Sequence, residues 1–422
     1  MTERLIGVYH SCIFIILTRL ASTIRYCREE QGDKCQSNFN FSYWSVGLLY
    51  VSAYLLPLII NYFYKITSSY EGAASLWISK TLRSLMFLIA IMWTLEYIEQ
   101  DSFINENYSI PHDSLKSIKI TIARIVIGAA LIAGTIGWSM GPLCIRLDVT
   151  KPEYTVSVDS SSNNTKTSAK SLPSSPSSSQ SPSPTTSPTS SPAPSSAPAN
   201  SQGTLNIIGY RNAYGSTYFL FVINVLAAVL LVNKPLGGIS LFLLTNQILT
   251  FFELVDLLDI RSNLISVVVM GLLGYSHFFT TGHQATLAAI HWETGFLLTE
   301  TILFPITHIA IILETFGSFI IIYLSIPLLT LWKIPPNNKP IALISKIVEN
   351  ATSLMIYQLC LTLSTLIMTA HFRRHLMVWK IFAPRFMLNA MLVILMNIIV
   401  TFISVGFVSS RVIKHWYQIF GM

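Results

Sequence analysis

Residues 216–279 read STYFLFVINVLAAVLLVNKPLGGISLFLLTNQILTFFELVDLLDIRSNLISVVVMGLLGYSHFF. Three apolar blocks, Ser216–Val232, Leu236–Leu258 and Leu264–Phe279, are separated only by Asn233-Lys234-Pro235 and by Asp259–Asn263. Each block approaches or exceeds the roughly 20 residues that a helix needs to cross about 30 Å of hydrocarbon. Connections this short force consecutive helices to run antiparallel as neighbours. The stretch therefore predicts an all-α fold, a polytopic transmembrane helical bundle.

The rest of the chain agrees. It has 422 residues, of which 52% are hydrophobic and 11% charged, where a soluble globular chain carries about 25% charged residues. Before the quoted stretch, apolar blocks at Leu5–Ile24, Tyr43–Tyr64, Leu82–Ile98 and Ile118–Met140 give four expected spans in residues 1–149. The first block has no A-x-A-like exit, so it reads as a span and not as a cleaved signal. After the quoted stretch, Thr352–Ala370 and Phe386–Val408 each read as a span. Between them Gly295–Trp332 is too long for one crossing and is interrupted by Glu300, Pro305, His308 and Glu314. The favoured reading is a re-entrant or interfacial segment followed by a span from about Ile309; the other is two tightly joined spans. Residues 211–422 then hold about six spans or re-entrant segments, and the whole chain roughly ten crossings.

Residues 150–210 are a different material. From Ser171 to Asn200 most residues are Ser or Pro, with no aromatic residue and no apolar periodicity. Such a segment buries too little apolar surface to offset its ordering entropy, so it reads as a disordered linker between two membrane parts. Glycosylation sequons stand at Asn40 and Asn107, and Lys65, Lys80 and Arg83 flank the second connection. By the positive-inside bias, the first and third connections face the lumen and the second the cytosol. Of five cysteines, Cys27 and Cys35 share one connection and are the one plausible bridge in an oxidising lumen. The net charge of +7 sits mostly at span ends, as for lipid headgroup contacts. No basic–aromatic patch of the RNA-binding kind accompanies it, and no nucleic-acid partner is expected.

Chemistry concentrates in few places. Gly274–Glu300 gathers His277, His283 and His291 around the turn Thr281-Gly282-His283-Gln284. These polar groups either hold a lipid headgroup or satisfy the open carbonyls of a helix end. A metal site from His277, His283, His291 and Glu293 lacks any tight ligand spacing, so no metal is expected in this chain. His371 and His375 are four apart, but Phe372 stands where a zinc protease needs glutamate. Around them Arg373, Arg374, Lys380 and Arg385 interleave with Trp379, Phe382 and Phe386, which suits an interfacial helix on anionic lipid or phosphate. Intramembrane ionisable residues are Arg19, Glu96, Arg124, Glu253, Asp256, Glu300 and Glu314. Glu253 and Asp256 share a helix face; they either line a polar cavity or pair with Arg19 or Arg124, and pairing is the favoured reading.

Four stretches carry a resemblance: Glu3–Ser22, Cys27–Cys35 (CREEQGDKC), Thr281–Trp292 (TGHQATLAAIHW) and Arg373–Met387 (RRHLMVWKIFAPRFM). Together they resemble the C-terminal membrane portion of glycosylphosphatidylinositol (GPI) ethanolamine phosphate transferases of the third-mannose (PIG-O) type. The resemblance implies transfer of phosphoethanolamine from phosphatidylethanolamine to a mannose of the GPI precursor, in the endoplasmic reticulum membrane. It places catalytic residues and divalent metal in a preceding lumenal domain outside these 422 residues, so no catalytic residue is expected here. The expected contribution is a lipid-substrate platform built from Thr281, Gly282, His283, Gln284, Arg373, Arg374, Lys380 and Arg385. A small membrane subunit of the PIG-F type is the implied partner. Other readings are a transporter or lipid scramblase using Glu253, Asp256, Glu300 and His308, and a non-catalytic assembly subunit.

Overall fold

The computed structural model describes residues 3–24, 42–69, 72–100, 112–140, 146–150, 204–261, 264–284, 290–335 and 339–420. Cys27, Cys35, Asn40, Asn107 and the Ser/Pro stretch lie outside these residues. The described helices are α1 (Glu3–Ala21), α2 (Tyr43–Ile66), α3 (Ala74–Glu99), α4 (His112–Met140), α5 (Ala213–Val232), α6 (Pro235–Leu258) and α7 (Leu264–Thr280). They continue with α8 (Ile306–Thr315), α9 (Gly317–Leu331), α10 (Pro340–His371) and α11 (Val378–Tyr417). Two short strands, β1 (Arg146–Thr150) and β2 (Thr204–Ile208), pair with each other, a small departure from an all-α expectation. Residues 1–146 and 207–422 form one compact unit, and residues 147–206 a second.

Among the described residues eight helices are long and apolar enough to cross a membrane: α1 to α6, α10 and α11. To these the fold adds α7, of 17 residues, and the pair α8–α9, bent by 79° at Phe316. The span expected from Ile309 thus starts at Gly317, and α8 folds away from it. Just before the bend, Glu314 meets two histidines from elsewhere in the chain.

Burial sorts the helices into layers. Every residue of α9 is buried, as is nearly all of α5, so these two form the centre. Large apolar side chains of α10 and α11, among them Leu359, Leu363, Ile367, Trp379 and Phe402, remain exposed, as they do where the surrounding solvent is lipid. Polar side chains inside the helices return to their own backbone: Thr217 to Ala213, Asn224 to Leu220, Ser325 to Ile321. This satisfies hydroxyls and amides where no water can.

Named contacts fix the directions. Ser240, near the start of α6, reaches His277 and Thr280 at the end of α7, so α6 and α7 are antiparallel. Ser318 donates to the carbonyl of Gly274, and Arg261 to that of Trp332, so α9 also runs against α7. By contrast Asn350 bonds the Arg261 carbonyl, and Tyr275 bonds Gln358, so α10 runs parallel to α7. Asn389 pairs with Thr365, turning α11 back along α10. The end of α7, the starts of α6 and α9, and the α10–α11 turn therefore share one end of the bundle. Contacts of Tyr50 with Thr94 and of Lys119 with Glu96 bring the start of α2, the end of α3 and the start of α4 to that same end.

Tyr275 is the node of one such seam. Its hydroxyl donates to Asn389 at 2.7 Å and accepts from Gln358 at 2.9 Å. Tyr275→Phe leaves two buried amides without that partner, a loss of about 1–3 kcal/mol. A lowered thermal midpoint in detergent is the expected result, with Leu376→Ala, at an exposed position on the α10–α11 turn, as the near-neutral comparison.

Candidate functional site

The sequence of α7 terminates itself at the shared end. Gly282 takes a φ of 93°, a conformation that costs glycine nothing and other residues more. Before it, the Thr281 hydroxyl bonds the carbonyls of His277 and Phe278, at 3.0 and 2.9 Å, closing the last turn. The reversal at Gly282 tucks His283 back under the helix, where its ring stacks on Phe278 with centroids 5.2 Å apart.

Two further residues complete the cluster. His291 leads into the 3₁₀ turn Trp292–Phe296, and Glu314 sits in the last turn of α8. Glu314 Oε1 lies 2.7 Å from His291 Nδ1 and 3.0 Å from His283 Nε2. His283 and Glu314 are buried, while the His291 side chain keeps 15% exposure. The segment between His291 and α8 is pinned by other bonds. Glu293 pairs with Lys234 at 2.8 Å, the Leu298 carbonyl accepts from Arg124 Nε at 2.9 Å, and the Leu303 amide donates to Thr307 at 3.0 Å. The result is two imidazoles and a carboxylate converging inside apolar walls, a set suited to a proton, a cationic group or a metal ion.

A second polar layer lies one turn deeper. His277 bonds Ser240 at 2.8 Å and Gln247 at 2.5 Å, and Gln247 donates to Thr18 of α1 at 3.0 Å. It is a seam joining α1, α6 and α7, and it keeps His277 apart from the His283 cluster.

Of the residues singled out in the sequence, Thr281, Gly282 and His283 meet in this site, and Gln284 borders it. Arg373, Arg374, Lys380 and Arg385 are exposed at the same end of the bundle, around the α10–α11 turn. Arg19 is exposed on α1. Glu96 binds Lys119, which also holds Glu99, and Glu300 lies 3.9 Å from Lys116 at the surface. The pairing expected for Glu253 and Asp256 is corrected. Their partners are Lys333, which reaches both, and Arg261, which binds Asp256; Arg19 and Arg124 are elsewhere. Glu293 likewise stands outside the histidine cluster, and Glu314 takes the place considered for it.

Comparison with known proteins places this geometry in context. GPI ethanolamine phosphate transferase 3 of Saccharomyces cerevisiae is 42% identical over 99% of this chain. The protein of that name from Eremothecium gossypii is 41% identical over 99%, and that of Schizosaccharomyces pombe 33% identical over 48%. The chain covers 37%, 36% and 22% of those relatives' own lengths, little more than a third of the two that it matches over 99% of its residues. No family model and no solved structure matches it.

Proposed function

Since the chain belongs to the GPI ethanolamine phosphate transferase family, we propose that it is the membrane platform of a transfer reaction. In that reaction phosphoethanolamine passes from phosphatidylethanolamine to a mannose of the GPI precursor. The observation that carries the reading is the coincidence of polar clusters. Thr281–Gln284 and the Arg373–Arg385 segment belong to different parts of the sequence, yet parallel packing of α7 and α10 brings both to one end of an apolar bundle. Both substrates are amphiphiles with phosphate at the membrane surface. Arg373, Arg374 and Arg385 suit that phosphate because a planar guanidinium donates two hydrogen bonds at once.

Sidedness supports the same reading. The helix ends flanking the sequons Asn40 and Asn107 lie at the site end, whereas Lys65, Arg261 and Lys333 lie at the other. With the end that carries Lys65, Arg261 and Lys333 taken as cytosolic and the sequon-flanked end as lumenal, the site faces the lumen of the endoplasmic reticulum, where a GPI glycan is modified. In this reading the bundle makes ten crossings, with α8 lying along the surface and α9 crossing. A small membrane subunit of the PIG-F type would dock on the lipid-facing helices, and no residue here acts on the transferred phosphate.

The test is a chimera in which this chain replaces the matching segment of the Saccharomyces cerevisiae relative. The chimera is expected to sustain transfer to the GPI precursor. Arg373→Ala combined with Arg374→Ala is expected to reduce transfer about tenfold at unchanged protein level, two exposed charge contacts at about 0.7 kcal/mol each amounting to about 1.4 kcal/mol. Transfer at the unsubstituted rate in that variant overturns the platform assignment.

A further inference from the structure

We propose that His283, His291 and Glu314 bind a zinc ion, a site unexpected from the sequence. Three elements of the chain supply the donors: the turn after α7, the start of the 3₁₀ segment and the last turn of α8. Their ligand atoms all lie within 4.8 Å of one another. Zinc holds nitrogen at about 2.0–2.1 Å in a tetrahedron, which sets neighbouring ligands about 3.3 Å apart. Outward shifts of the rings from 2.7 and 3.0 Å, with the two imidazole nitrogens drawing together from within 4.8 Å, reach that spacing.

The strongest argument is the geometry around one buried atom, His283 Nε2, which faces Glu314 without a well-formed hydrogen bond. The Thr281 hydroxyl proton is directed at the carbonyls of His277 and Phe278, so its oxygen accepts from His283 Nδ1–H at 3.1 Å. That assigns the proton of a neutral imidazole to Nδ1 and leaves Nε2 as a bare lone pair. Nε2 is buried, makes no hydrogen bond, and faces the Glu314 carboxylate oxygen at 3.0 Å. Two lone pairs at that distance repel unless a cation lies between them. A proton or a metal ion fills this need, and of the two the metal ion also takes His291 Nδ1 as a third ligand.

The surroundings have the form of a metal site. Thr281 fixes the tautomer and the ring plane of His283, the role outer hydrogen bonds play around ligating histidines. Thr315 approaches the second carboxylate oxygen at 3.4 Å, and Phe278 walls off one side. Two histidines and one glutamate are a donor set that zinc accepts with a fourth position open, and partial exposure of His291 puts that position on the side reached from the membrane surface. Bound there, the ion ties the segment 291–305 to the end of α7.

The experiment uses the full chain purified in detergent, stripped with a chelator and then titrated with zinc alone. Elemental analysis is expected to find about one zinc per chain, since a preformed site of three ligands binds with high affinity at neutral pH. Glu314→Gln and His291→Gln should each abolish it. Thr281→Val keeps all three ligands, so it should keep the site and weaken zinc about 10–100-fold. Should a ligand variant fail to fold, the unsubstituted chain still decides: failure to take up zinc after stripping overturns the proposal. Uptake unchanged in all three variants overturns it equally.

Discussion

Glu253→Gln should lower the stability of the bundle by about 3 kcal/mol, the lower part of the range for breaking a buried ion pair. Glu253 is 2% exposed near the end of α6. One carboxylate oxygen accepts from Trp332 Nε1 at 3.0 Å, and the other binds the ammonium of Lys333. Asp256 completes the set, 3.1 Å from the same ammonium while also holding Arg261. Two acids thus balance two bases where water is scarce. Neutralising Glu253 leaves one positive charge in excess, and Lys333, with 9% of its side chain exposed, cannot recover its hydration. Thermal unfolding in detergent checks the size of the effect. The combination Glu253→Gln with Lys333→Met should regain most of the loss, because removing both partners of a buried pair is far less harmful than removing one. A midpoint unchanged in the single variant, or a double variant worse than the single, contradicts this account of the cluster.

That cluster also marks where the sequence stops being legible. Apolar runs of about 20 residues announce their own helices, because the thickness of hydrocarbon sets their length; α2, α5 and α6 lie close to where their runs of residues put them. A three-residue spacing announces that Glu253 and Asp256 share a face. Nothing local announces Lys333, which lies 80 positions further on and meets them only because α9 runs parallel to α6, both of them against α7. Charge alone points equally to Arg19 and Arg124, bases within other apolar runs. Proximity in space follows from packing order, and packing order is not written in composition.

The histidine cluster is a similar case with a clearer clue. His283 and His291 were visible as an unusual pair, and Glu314 as a carboxylate in an apolar run. Glu293 looked like the third member because it is close in sequence. The structure turns Glu293 outward to Lys234 and brings in Glu314, 23 residues from His291. An intramembrane carboxylate with no local base is the signal that points to it, since an isolated charge at that depth requires a partner. The same carboxylate stands beside the misplaced start of the span: α8 ends where Glu314 is held, and α9 begins only after the bend.

Gly215→Ala is expected to match Glu253→Gln in severity, by a wholly steric route. A methyl group at Gly215 would lie 2.3 Å from Asn212 Oδ1, 2.8 Å from the Leu331 carbonyl and 3.1 Å from Trp332 Cα. Two of these are backbone atoms of another helix, which cannot swing aside. Overpacking of this kind costs about 1–3 kcal/mol, and displacing Asn212 adds to it. Asn212 is fully buried, accepts from the Lys333 amide at 2.9 Å and donates to Ser69 at 3.3 Å, so its movement strands several polar groups at about 1–3 kcal/mol each. Gly128→Ala is the control: a methyl group there meets nothing within 4 Å, and helix propensity favours it by about 0.5–1 kcal/mol. Both severe substitutions act on Trp332-Lys333, one through the backbone that positions the lysine and one through its counter-charge. Their effects should therefore fall short of additive by more than about 0.5 kcal/mol, as for residues that share partners. Strict additivity in thermal or denaturant unfolding would show that Gly215 and Glu253 support the bundle separately.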